Sequence, residues 1–255
     1  MRLNRVKKQL KAGKLQVGCG FNNLRSLEGP RALAAAGFDW TFLDGEHGGF
    51  DTETLQDLCH ECASAGISPI VRVADMQYSL VARALDCGAQ GVIFPRVESP
   101  ELLEKAVSWT KFPPVGVRGF GLAPTHIDYE RATIPQIIEH MNENVMVVLQ
   151  IETKLAVERR EELLSVPGID AVLIGPVDLS ISLGVPGEFE HPSMVDAMEK
   201  IRASCVKHGV APGTQTRNIA LAKFWINRGM IFVGSGSETG FLFEKATEVA
   251  SALKS

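Results

Sequence analysis

The sequence predicts a single (β/α)8 barrel spanning residues 1–255, and three observations carry that prediction. Eight short apolar runs alternate with longer stretches of helical period in 255 residues, the count and length of such a barrel. The runs are apolar on consecutive residues rather than alternating, as expected of strands covered on both faces. Five helical stretches stop at glycine, namely Gly37, Gly66, Gly88, Gly209 and Gly229. A left-handed C-cap suits a residue without a Cβ. A doubly wound open sheet is the competing architecture.

Taken in order, residues 1–14 are charged throughout and read as a solvated helix with Val6 and Leu10 turned inward. They lack the apolar core of a signal peptide. The first apolar run is 15–19, and helical period follows over 24–36 up to Gly37. The second run, 40–43, precedes a helix over 52–65; the third, 68–73, precedes one over 79–87. The fourth run is 91–94, with a helix over 100–109. A connection rich in Gly and Pro then covers 111–133, long enough to signal function or mobility. A helix over 134–143 leads into the fifth run, 145–151, and another over 155–165 into the sixth, 171–174. The helix 194–208 precedes the seventh run, 210–213. The helix 219–228 precedes the eighth, 230–233, and a helix over 238–253 ends the pattern.

Composition narrows the function. Hydrophobic residues make up 45% and charged residues 22%, which excludes a disordered chain. The balance of 26 basic against 30 acidic residues gives a net charge of −4, with no footprint for nucleic acid. The longest mainly apolar stretch, 145–151 with only Gln150 polar, is far short of the ~20 residues that span a bilayer. Five cysteines, an odd number at irregular spacing, suggest reduced thiols in a cytoplasmic protein.

A barrel of this kind carries its site at the C-terminal ends of its strands. The polar residues there are Asp44, Glu46 and His47 after the second run, and Arg72 at the end of the third. Gln150 and Glu152 close the fifth, and Asp178 follows the sixth. These seven are expected to converge on one rim. Glu152 and Asp178 offer hard oxygen ligands suited to Mg2+ or Mn2+. Asp178 also reads as the N-cap of a following helix. His47 is the only histidine directly after a strand, and its ordinary pKa suits a general base. Arg72 is a fixed planar cation for a carboxylate or a developing oxyanion; its alternative is a structural ion pair in the barrel mouth.

The stretches Phe42-Leu-Asp-Gly-Glu-His-Gly48, Leu85-Asp-Cys-Gly-Ala-Gln-Gly91, Gly116-Val-Arg-Gly119, Gln150-Ile-Glu-Thr153 and Ile174-Gly-Pro-Val-Asp-Leu-Ser180 together resemble the HpcH/HpaI family of metal-dependent pyruvate aldolases. The resemblance runs from about residue 5 to 250 in consistent order. It implies a divalent metal (Mg2+ or Mn2+, with Co2+ also admitted) on Glu152 and Asp178. It implies His47 as base, with Asp86 as the carboxylate that raises its basicity. Arg72 then stabilises enolate and alkoxide, while Gln150 and the backbone N–H groups of Val177 and Asp178 hold pyruvate. Asp44 and Glu46 support the site. The implied substrates are a 2-keto acid and an aldehyde. The implied assembly is a homohexamer with the last helix exchanged between subunits, which the apolar Phe241, Leu242, Phe243 and Leu253 permit.

Alternatives stay open. The same rim also suits a condensing enzyme or an acyl-CoA lyase of the citrate-lyase-like group. Lys154 beyond the fifth run suits a Schiff-base aldolase. A non-catalytic ligand-binding barrel is the fourth reading. The loop residues 213–216 and 234–240 are expected to meet the distal part of a substrate, and Gly234-Ser-Gly-Ser237 to form either an anion site or a plain turn. Arg118 is a further candidate for substrate contact. Cys59-His-Glu-Cys62 reads as helix packing rather than a metal motif.

Overall fold

In the computed structural model, described here for residues 1–254, eight parallel strands close a barrel in chain order. The first half runs α1 (Arg5–Lys11), β1 (Gln16–Phe21), α2 (Glu28–Ala35), β2 (Trp40–Asp44), α3 (Thr52–Ala65), β3 (Ser68–Arg72), α4 (Tyr78–Asp86) and β4 (Gly91–Phe94). The second half begins with α5 (Pro100–Ser108), α6 (Ile134–Asn144), β5 (Met146–Ile151), α7 (Lys154–Glu158), α8 (Arg160–Leu164) and β6 (Ala171–Ile174). It ends with α9 (Pro176–Ser182), α10 (Pro192–His208), β7 (Gly213–Thr216), α11 (Ile219–Ile226), β8 (Phe232–Ser237) and α12 (Glu238–Lys254). β8 pairs back onto β1, with Gln16 opposite Phe232, so the open-sheet alternative falls and no strand edge is left exposed.

Two apolar layers hold the barrel. Outside it, strand side chains such as Leu43, Val71 and Val147 pack against Leu58, Leu85 and Leu103 of the helices. Inside it, Phe42, Ile70, Ile93, Met146, Val148 and Leu173 fill the bore. Trp40 stacks on Phe232 there at 4.1 Å between centroids. Gly18 leaves room for that stack, since a Cβ on it would lie 2.2 Å from the Trp40 ring. Val6 and Leu10 of α1 join this inner layer and close the N-terminal end of the barrel. Each such large apolar side chain contributes roughly 1.5–3 kcal/mol on burial.

The elements depart from expectation in four places. β7 and β8 lie later than the apolar runs 210–213 and 230–233. Their pairing registers run through Thr214, Gln215, Thr216 and Ser235, polar residues that an apolar pattern does not reveal. The helix over 155–165 is broken at Arg159, which separates α7 from α8. The short α9 starts at Pro176, ahead of the Asp178 that read as its N-cap. The connection 111–133 holds one 3-10 turn, Pro124–Ile127. Among the described residues, no helix is long and apolar enough to cross a membrane.

Candidate active site

Arg72, the last residue of β3, is 8% exposed and is held from two sides. Its Nε and Nη2 donate to Asp44 Oδ1 and Oδ2 at 2.9 and 2.7 Å, a bidentate pair across the β2–β3 register. Glu46 Oε2 lies 3.1 Å from Nη1 as an ion pair that lacks hydrogen-bond alignment. The guanidinium sits 5.1 Å from the Phe42 ring centroid. Both readings of Arg72 therefore meet in one group. It is ion-paired in the barrel mouth, and N–H groups on Nη1 and Nη2 are left over for another oxygen. Asp44 Oδ1 also accepts from the backbone N–H of Glu46 and His47, so one carboxylate orients the cation and the turn that carries the histidine.

Glu152 follows β5 and is 4% exposed. Its Oε1 accepts the backbone N–H of Arg96 at 2.8 Å, and its Oε2 accepts Gln150 Nε2 at 2.5 Å. Burial pushes its carboxyl above the ordinary range, and the charges of Asp178 and Glu46 add to that against the Arg96 N–H and the Arg72 charge. Gly175 makes the close approach possible: a Cβ there would lie 2.7 Å from Glu152 Oε2 and 3.0 Å from Gln150 Nε2. Gly175 occupies the N-cap of α9 with Pro176 next, so Asp178 sits within the first turn rather than capping it. The N–H groups of Val177 and Asp178 fall among those a helix start leaves without an internal partner.

These residues fit a hard divalent cation. The donors are carboxylate oxygens, their mutual repulsion favours a cation, and the Gly175 cradle holds the space that a Cβ would fill. Gln150 Oε1 is buried there without a partner. Among the described residues, no three His, Cys, Asp or Glu side chains gather as a cage. A cation here would complete its shell with water or substrate oxygens, as Mg2+ and Mn2+ commonly do.

The two residues assigned to proton transfer lie far apart within the chain. His47 follows β2 at the C-terminal end of the barrel, its side chain 65% exposed and its Nε2 3.8 Å from Glu46 Oε1. α4 runs back against the strands, so Asp86, its last residue, lies near the start of β4 at the opposite end. There the Asp86 carboxylate accepts Arg118 Nη2 at 2.8 Å, and its carbonyl meets His126 Nε2 at 2.9 Å. Arg118 is buried beside it, 4.8 Å from the Phe112 ring centroid. It belongs to the N-terminal end and not to the rim of its own barrel.

Other motifs settle differently. Lys154 begins α7 and is exposed. Gly234 to Ser237 are the end of β8, and the next residue, Glu238, starts α12. The Glu238 carboxylate accepts the backbone N–H groups of Asn22, Asn23 and Leu24 at 2.9, 2.6 and 3.1 Å. A negative group already sits at that helix start, which disfavours an anion site. Cys59 and Cys62 are buried on α3, their thiols pushed up by burial, and all five cysteines are free. Sequence reasoning missed Arg96, Gly175 and Glu238. Only the glycine, between an apolar run and a proline, left a visible trace.

Barrel and rim together have the layout of an enzyme, with polar groups gathered at the C-terminal ends of the strands. The family described as HpcH/HpaI aldolase/citrate lyase matches residues 21–244, and the chain belongs to that family. It is 36% identical over 250 residues to 4-hydroxy-2-oxo-heptane-1,7-dioate aldolase of Salmonella dublin, covering 97% of this chain and 94% of that protein. The crystal structure of an HpcH/HpaI aldolase from Desulfitobacterium hafniense superposes with a TM-score of 0.92 at 31% identity, over 97% and 96% of the two chains. That of a family protein from Burkholderia cenocepacia does so with a TM-score of 0.91 at 30% identity, over 99% and 100%.

Proposed function

We propose that this chain cleaves a 4-hydroxy-2-oxo acid reversibly to pyruvate, or a close 2-keto acid, and an aldehyde. Glu152 and Asp178 hold a divalent cation of the Mg2+ or Mn2+ type. The observation that carries the reading is Glu152, clamped on both oxygens, beside Asp178 and within the field of the clamped Arg72. When bound, the cation supplies Lewis-acid stabilisation to the keto-acid oxygens.

The chain's own residues do the rest. The N–H groups of Val177 and Asp178, with the second N–H of Gln150 Nε2, hold the keto-acid carboxylate. In cleavage His47 takes the C4 hydroxyl proton. The C3–C4 bond then breaks: its electron pair passes to C3 and the keto oxygen, and the aldehyde leaves. Solvent supplies the proton that restores the methyl group, and His47 releases its own proton to solvent. In synthesis the same histidine returns its proton to the new alkoxide. Arg72 offsets charge on the substrate oxygens in both directions.

The role that the resemblance gives Asp86 requires a second copy of the chain. Within one chain it lies at the wrong end of the barrel to touch His47. We infer that Asp86 of one copy approaches His47 of another, so that the homo-oligomer, a hexamer by resemblance, completes the site. α12 suits such an assembly: Leu242, Phe243 and Leu253 are 61%, 73% and 83% exposed. The free thiols suit a cytoplasmic setting.

An aldehyde panel with pyruvate and Mg2+ or Mn2+, read by mass spectrometry, tests the reaction. Adducts that vanish with EDTA support it. Adducts that persist in EDTA, with pyruvate trapped by borohydride on Lys154, would replace it with Schiff-base chemistry.

A further inference from the structure

Among the described residues, three other than glycine have positive φ, and Arg96 at 53° is the one beside a barrel strand. It follows Pro95 just after β4. The other two, Asp128 and Tyr129, lie in the long connection. A left-handed backbone is unfavourable for arginine, and such outliers persist where the surroundings over-determine them. The Arg96 side chain is exposed, so packing of its guanidinium does not hold the conformation. What the conformation delivers is the backbone N–H, aimed at Glu152 Oε1 at 2.8 Å. With Gln150 Nε2 on Oε2, the carboxylate is fixed at both oxygens, and each keeps a lone pair for a cation.

We propose that Arg96 is a positioning residue: its left-handed backbone sets the Glu152 carboxylate in the orientation that binds the divalent cation. This rests on the metal-holding role of Glu152 given above. The side chain at position 96 is immaterial in this account; its φ is what counts. Glycine adopts that conformation freely and asparagine tolerates it, whereas a β-branched residue is driven out of it.

The test is binding of Mn2+ alone to chelator-treated protein, by titration calorimetry or by loss of the free-ion EPR signal. Arg96→Gly and Arg96→Asn are expected to bind as the parent does. Arg96→Val is expected to bind about 10–100-fold more weakly, the range for loss of a group that orients a metal ligand. Should Arg96→Val not fold, Arg96→Thr, smaller and polar but likewise β-branched, takes its place with the same expected loss. Equal binding by Arg96→Val (or Arg96→Thr) and the parent overturns the proposal, as does an equal loss in Arg96→Gly. Glu152→Gln separates the two claims. If it binds Mn2+ as the parent does, the cation reading fails and takes this one with it. If it weakens binding while Arg96→Val does not, only the positioning role fails.

Discussion

Replacing Asp44 by asparagine isolates the group that organises the rim. Asp44 is 1% exposed and accepts four hydrogen bonds, two from Arg72 and two from the Glu46 and His47 backbone. Asparagine keeps the shape but removes the charge, and its amide N–H groups face the guanidinium donor. Hydrogen bonds to charged groups contribute about 1.5–3 kcal/mol each, and Oδ1 still accepts in the variant, so the loss is about 3 kcal/mol. Glu46 at 3.1 Å keeps the buried cation partly compensated. The cost therefore stays near the lower edge of the ~3–5 kcal/mol for breaking a buried pair outright. At about 2.1 cal/mol/K of unfolding entropy per residue, a 255-residue chain should lose about 6 °C in Tm, read by calorimetry. Burial pushes the Asp44 carboxyl up, but the Arg72 hydrogen bonds and charge and two backbone N–H groups outweigh it and hold it below the ordinary range. Its stabilisation is thus present above the unfolded carboxyl range, near pH 4, and is lost as pH falls through the lower folded value. The variant should lose less stability than the parent over that acid interval. A Tm within a degree of the parent, with the same acid profile, would refute the reasoning.

Further outcomes test other parts of the account. Gly175→Ala places a Cβ 2.7 Å from Glu152 Oε2, so Mn2+ affinity should fall about 10–100-fold while circular dichroism stays unchanged. His47→Ala and Asp86→Asn should each be nearly inactive, yet regain activity when unfolded together and refolded as mixed oligomers. No recovery would mean that the two residues do not meet across copies. Burial, aided by the Lys7 charge, pushes Lys111 down to about 7, so its charged form opposes folding below that pH. Stability to urea should rise between pH 7 and about 10 because the unfolded chain still binds the proton, and Lys111→Met should flatten that rise.

The barrel was legible because its strands are buried on both faces and write their period as unbroken apolar runs, as in Met146 to Leu149. The seventh strand was placed three residues early because Thr214, Gln215 and Thr216 make the ladder with polar side chains. The rim residues were legible because each lies at the end of such a run or within four residues after it. What stayed hidden is backbone conformation and the sense of the helices. Nothing in Pro95-Arg96 announces a positive φ, and nothing in the Asp86 stretch says that it sits at the far end from His47 until α4 is traced downward. Asp44 shows the intermediate case, because its place on the rim was clear while its grip on Arg72 emerged only from the β2–β3 register.

Exchange of the pyruvate methyl hydrogens for deuterium in D2O, followed by proton NMR, requires no knowledge of the aldehyde and reports directly on proton loss at C3. With Mg2+ or Mn2+ the parent protein should deplete the methyl signal, and EDTA, Glu152→Gln or Asp178→Asn should each stop it. Exchange that continues unchanged in all three would contradict the assignment of those two carboxylates to a cation that activates the keto acid.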